Sequence, residues 1–136
     1  MLKVLIVEDD FMVADCLEEI LCAAGFEVCG IAGDVTNAVA LGEQHEPDLA
    51  VIDFRLTDGQ YGTDVGAALC DRIDVGVIYA SGNPDDPRLQ AAKGAACIAK
   101  PYSASSIVAA LHLVRERLSH GAAPAEIPKG VRLLDA

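Results

Sequence analysis

The sequence predicts a three-layer α/β sandwich, a five-stranded parallel sheet with helices on both faces. Three observations predict it. Short continuous apolar runs of strand length alternate with longer stretches of helical spacing. Most of these runs end abruptly in polar or charged residues. The composition, 52% apolar and 23% charged over 136 residues, suits one packed core with a solvated surface. Strands alternating with helices imply right-handed crossovers, and hence a parallel sheet covered on both sides.

Residues 4–7, Val-Leu-Ile-Val, form the first such run and stop at Glu8-Asp9-Asp10. A run without alternation suits a strand buried on both faces. Residues 11–24 place Val13, Leu17, Ile20, Leu21 and Ala24 at helical spacing, and Gly25 supplies the stop. Residues 26–32 alternate as a second strand. Residues 35–46 follow as a helix with Ala38, Leu41 and Gly42 inward, ending before Pro47. The third strand, 49–52, closes on Asp53, and a glycine-rich loop leads to a helix over 64–72. Residues 75–80 make the fourth strand. Pro84 and Pro87 leave room only for a short helix around 88–93, and 95–99 is the fifth strand, closed by Lys100-Pro101. Ser103 N-caps a last helix whose Ile107, Leu111, Val114 and Leu118 form one stripe, running to about residue 119. The expectation is one domain over 1–120 without a separate output domain. Residues 121–136 form a C-terminal tail that docks on this domain or reaches a second protomer as a homodimer.

Ten basic against 21 acidic residues give a net charge of −11, which repels a phosphate backbone or an anionic membrane. Direct DNA binding and membrane binding are not expected. Cys16, Cys22, Cys29, Cys70 and Cys97 form an odd set without CxxC spacing, four of them inside apolar runs. They read as buried free thiols in a reducing cytoplasm. The apolar start is too short for a signal peptide or a membrane span. His45, His112 and His120 lack ligand spacing, and the Gly62/Gly66 pair reads as close packing or capping.

Ligands of open parallel sheets bind beyond the carboxyl ends of the strands. Glu8, Asp9, Asp53, Ser81 and Lys100 stand at those ends. Three carboxylates brought together repel one another unless a cation lies between them, and hard oxygen ligands suit Mg²⁺ or a similar ion such as Mn²⁺. A lysine and a hydroxyl beside them are the groups that hold a phosphoryl oxygen.

The set Glu8-Asp9, Asp53, Ser81 and Lys100-Pro101, in this order and each at a strand end, resembles the response-regulator receiver domain of two-component signalling over residues 2–119. The resemblance implies a (βα)5 flavodoxin-like receiver topology with Asp53 as phosphoacceptor. Asp9 and Asp53 match the metal carboxylates, Glu8 acts mostly through water, and the backbone carbonyl of Arg55 matches the third protein ligand. Ser81 matches the switch hydroxyl and Lys100 the cation that pairs with the phosphoryl group; a cis bond precedes Pro101 in the family. The resemblance further implies a sensor histidine kinase or histidine phosphotransfer protein as donor, and phosphorylation-dependent contact with a downstream protein. It implies a signalling protein rather than an enzyme with a separate substrate.

Departures from the family are also visible. Cys97 stands three residues before Lys100, where many receivers carry an aromatic; the fourth helix is squeezed between Pro87 and Gly94; and the loop over 54–62 lacks the common proline and looks a residue longer. Arg55 and Asn83 occupy positions that tune acyl-phosphate lifetime in the family. The missing aromatic motivates an alternative, a docking module independent of phosphorylation. A haloacid-dehalogenase-like phosphatase would place a second Asp where Arg55 stands, and Glu8-Asp9-Asp10 would repel the phosphate of a flavin.

Overall fold

In the computed structural model, which describes residues 1–120 and 127–134, the apolar runs become strands and the helical stretches cover them. The elements in order are β1 (Lys3–Val7), α1 (Phe11–Ala23), β2 (Glu27–Ala32), α2 (Val35–His45), β3 (Leu49–Asp53), α3 (Gly62–Arg72), β4 (Gly76–Ser81), α4 (Pro87–Gln90), β5 (Ala96–Ala99), α5 (Ala104–His120) and β6 (Val131–Leu133). The sheet order is β2-β1-β3-β4-β5-β6. The first five strands are parallel and β6 is antiparallel to β5.

The core lies in two layers, one on each face of the sheet. Val4, Ile6, Val51, Ile78 and Ile98 pack with Leu17 and Leu21 of α1 and Ile107, Leu111 and Val114 of α5. On the other face Leu5, Ile52, Val77, Tyr79 and Cys97 pack with Ala38 of α2, Val65 and Leu69 of α3 and Leu89 of α4. Alternation along each central strand sends successive side chains to opposite layers, which is why those strands read as unbroken apolar runs.

Helix starts are set by side-chain caps. Asp10 accepts from the amides of Met12 and Val13, Asp34 from Asn37, Asp86 from Arg88, and Ser103 from Ser106. Asp86 is buried and Pro87 opens α4, which lasts a single turn instead of the expected 88–93. The Gly62/Gly66 spacing is a close-packing feature. A Cβ at Gly62 would overlap the Asp53 carbonyl, and one at Gly66 the Tyr79 hydroxyl.

The five-stranded expectation needs correction, because the sheet has six strands. Residues 131–133 are too few to show a period, yet β5 would otherwise leave a row of edge amides and carbonyls unpaired. Of the tail at 121–136, residues 121–126 and 135–136 lie outside the described residues, and 131–134 run along β5. The buried-thiol reading also needs correction. Cys16 and Cys22 are exposed, Cys29 and Cys70 are half-buried, and only Cys97 is fully buried. Ala14, Leu17 and Leu21 take the inward phase of α1, and this rotates both of its cysteines outward. Among the described residues no helix is long and apolar enough to cross a membrane.

Candidate functional site

Five parallel strands bring their carboxyl ends to one edge, and the ladder continues just past the strand ends. The Glu8 amide donates to the Ala32 carbonyl at 2.8 Å, Phe54 to Ala80 at 2.9 Å and Lys100 to Ser81 at 2.9 Å. Glu8 and Lys100 are thereby held by the sheet although they lie just past their strands, while Asp53 and Ser81 are the last residues of β3 and β4.

The structure brings Glu8, Asp9 and Asp53 together, with one carboxylate oxygen from each lying within 4.8 Å of the others. Among the described residues this is the one group of three such ligand-bearing side chains. Lys100 Nζ lies 3.1 Å from Asp53 Oδ1 and 3.4 Å from Glu8 Oε1. Ser81 ends β4 beside them and its Oγ accepts from the Asn83 amide at 2.9 Å. Lys100-Pro101 is a cis peptide. Arg55, Ser81, Asn83 and Lys100 line a cleft of about 320 Å³ with Asp53 in its wall, whereas Glu8 and Asp9 line a separate recess of about 330 Å³ with Gly33 and Asn37.

The electrostatics divide the carboxylates. Burial, helped by the charge of Asp53, pushes Glu8 up to about 7 against the pull of the Asp10 amide and Lys100. Burial works against the charge of Lys100, but Asp53 and then Glu8 more than offset it and raise the ammonium above its ordinary value. Three clustered carboxylates facing one lysine leave excess negative charge on hard oxygen donors, and this donor set fits a divalent cation of the Mg²⁺ class.

The loop after β3 forms a small hairpin. Arg55 pairs with Tyr61, the Leu56 amide donates to Gln60 at 2.8 Å, and the chain turns through positive φ at Asp58 (56°) and Gly59 (73°). An Asp-Gly pair tolerates that conformation. Sequence reasoning missed what this hairpin touches: Arg88 of α4 places its guanidinium 4.6 Å from the Tyr61 ring centroid, linking α4 to the loop that follows Asp53. It also missed Tyr79, whose hydroxyl donates to the Lys93 carbonyl at 2.7 Å. The one available signal was a tyrosine inside an apolar run two residues before Ser81.

The chain is similar to known proteins in sequence and in fold. A family model for the response regulator receiver domain matches residues 4–112. The chain is 30% identical over 118 residues to the transcriptional regulatory protein PdtaR of Mycobacterium tuberculosis, covering 85% of this chain and 57% of that protein. It is 31% identical over 111 residues to the phyllosphere-induced regulator PhyR of Methylorubrum extorquens, covering 80% and 42% respectively. The chain thus spans about half the length of the curated relatives it matches. Among solved structures, the signal receiver domain of a modulated diguanylate cyclase from Desulfovibrio desulfuricans superposes with a TM-score of 0.79 at 25% identity, covering 90% of this chain and 99% of that one. The receiver domain of PhyR from Erythrobacter litoralis gives 0.76 at 23%, covering 93% and 96%. With the acidic cluster and the lysine at the expected sheet edge, this chain belongs to the response regulator receiver domain family.

Proposed function

We propose that Asp53 accepts a phosphoryl group from a phosphohistidine on a sensor histidine kinase or histidine phosphotransfer protein, and that the chain signals by the protein contacts this changes. The observation that carries the reading is the Asp53 carboxylate, 3.1 Å from Lys100 Nζ and walling a cleft of about 320 Å³ that Ser81 shares. Glu8 and Asp9 line the other recess, whereas Asp53 lines the cleft that Ser81 shares.

Asp9 and Asp53 would hold Mg²⁺ or Mn²⁺, with Glu8 acting through water and the Arg55 carbonyl as a further ligand. The ion supplies positive charge toward the phosphoryl oxygens. Lys100, beside Asp53, would offset charge on the same oxygens. Asp53 attacks phosphorus in line as the histidine nitrogen leaves, and the ladder bonds at Phe54 and Lys100 keep both groups in place. The Ser81 hydroxyl then turns toward the new oxygens, which re-aims the loop that follows it.

A recess of about 540 Å³ lined by Met12, Val13, Cys16, Pro101 and Tyr102 opens beside Lys100, and Phe11 and Met12 are largely exposed at the start of α1. This apolar surface supports docking of a protein donor. The net charge of −11 favours protein over DNA as the downstream partner, and five free cysteines support a reducing cytoplasm.

Intact mass after incubation with acetyl phosphate and Mg²⁺ tests the reading. One added phosphoryl group, absent in Asp53→Asn or in chelator, is expected; equal labelling of Asp53→Asn would sink the assignment. The second reading, docking without phosphoryl transfer, is favoured by buried Cys97 at the position where many receivers carry an aromatic. It predicts full partner binding by Asp53→Asn.

A further inference from the structure

β6 lies antiparallel on β5, so that Val131, Arg132 and Leu133 face Ile98, Cys97 and Ala96. The ladder runs one residue further at each end. The Ala99 amide donates to the Gly130 carbonyl and the Leu134 amide to the Ala95 carbonyl, both at 2.9 Å. Alternation divides the side chains between the faces. Val131 and Leu133 pack toward the α5 layer, and Leu134 is 3% exposed in the opposite layer that holds Val75 and Leu89. Arg132 shares the face of Leu134 and reaches the β4–α4 loop, where its Nη2 lies 2.9 Å from Asp85 Oδ1.

Both attachments begin beside the candidate site. Gly130 binds the residue immediately before Lys100, and Asp85 lies two residues after Asn83, whose amide donates to Ser81 Oγ. β6 is therefore tied to the two segments that carry Lys100 and Ser81. Its hold is modest: the strand is three residues long, and its ion pair joins side chains 48% and 79% exposed, where water screens most of the attraction. Such an element opens at lower free energy than the inner strands. Once uncovered, β5 offers a row of unpaired amides and carbonyls.

We propose that β6 is a displaceable cover of the β5 edge, released when the Asp53 site is filled. The uncovered edge then takes an extended segment of a partner protein, with a basic residue facing Asp85 and an aliphatic residue two positions on entering the layer of Leu89 and Val75. This rests on the reading of Asp53 as phosphoacceptor. Drawing the Ser81 hydroxyl toward Asp53 takes it from the Asn83 amide and shifts the loop that carries Asp85. Lys100, following charge onto Asp53, pulls on Ala99. Both movements strain the attachments at Arg132 and Gly130, and linkage makes loss of β6 favour site filling in return. The partner chemistry follows from β6 itself, whose Val-Arg-Leu-Leu order is the segment seen to fit this edge, and from the acidity of a chain of net charge −11.

Residue-resolved amide hydrogen exchange on the full chain, with and without Mg²⁺ and beryllofluoride, tests this. The Ala99 and Leu134 amides are expected to exchange about tenfold faster with the fluoride, while β1 and β3 are unchanged. A synthetic peptide copying residues 129–134 is expected to bind about fivefold tighter under the same condition. Arg132→Glu speeds exchange at Leu134 without fluoride, and Asp85→Arg added to it restores protection, which separates release from unfolding. Chemical shifts of Asp53 and Lys100 in the same spectra report filling. Absence of those shifts overturns the phosphoacceptor reading and this proposal with it. Filling with unchanged or slower exchange at Leu134 overturns the release alone, and release without peptide binding overturns the assigned partner.

Discussion

Tyr79 and Cys97 are neighbours in the parallel register of β4 and β5, both fully buried, and the aromatic of the pair belongs to β4, the strand that ends in Ser81. The ring is walled by Gly66 of α3 and by Gly94, and its hydroxyl is tied to the Lys93 carbonyl at 2.7 Å. Burial holds the phenol far above its ordinary value, so it stays neutral and a donor. The small thiol of Cys97 fits beside a ring that is fixed in place.

Tyr79→Phe removes that donor and leaves the Lys93 carbonyl without it. The expected cost is about 1 to 1.5 kcal/mol, read as a lower urea midpoint with an unchanged slope. Labelling of Asp53 by acetyl phosphate is expected to continue, because Tyr79 faces the α3 layer and does not line the cleft.

Gly66→Ala puts a methyl group onto the Tyr79 hydroxyl. Overpacking of this kind costs about 1 to 3 kcal/mol. Adding Tyr79→Phe recovers part of the loss, so the double variant is more stable than the sum of the singles predicts. Simple additivity in denaturation midpoints would contradict the contact.

Lys100→Met removes the cation beside Asp53 and Glu8. Phosphoryl transfer from acetyl phosphate is expected to slow by about 100-fold, the usual scale for loss of one charge-stabilising donor. The Glu8 carboxyl, which Lys100 now pulls down, is expected to titrate above about 7. Carbon-detected titration of Glu8 checks the second effect independently of the chemistry.

The pH dependence follows from Glu8, whose native value of about 7 stands above its ordinary 4.5. The native state binds this proton more tightly than the unfolded chain does. The contribution of Glu8 is therefore complete below about 4.5 and is lost as pH rises through about 7. Metal-free protein is expected to lose stability over that interval, and Glu8→Gln to flatten this component. Mg²⁺ competes with the proton, so its affinity rises over the same interval and saturating Mg²⁺ cancels the loss. Thermal midpoints at pH 5, 6, 7 and 8, with Mg²⁺ or chelator, measure both slopes.

Much of the molecule was legible because its patterns are strong and local. Residues 4–7 and 49–52 are apolar without interruption and then meet acids. A strand buried on both faces must look that way, and its polar ends must surface at the sheet edge. Glu8, Asp9, Asp53 and Lys100 could therefore be placed together from the sequence, and in the structure one oxygen of each carboxylate lies within 4.8 Å of the others while Lys100 pairs with Glu8 and Asp53.

The sequence by itself determined the five βα units, the short α4 between its prolines and the gathering of charged groups at one edge, since each follows from the period or abrupt end of a nearby run of residues. Tertiary structure alone decided the sixth strand, the outward turn of Cys16 and Cys22, the Arg88–Tyr61 stack and the elevated carboxyl of Glu8. These depend on which edge needs a partner, on helix phase against a particular core, and on the charges and burial that distant segments impose. A pairing between residues 97 and 132 leaves no period in either segment, because its free energy resides in the contact and not in the chain.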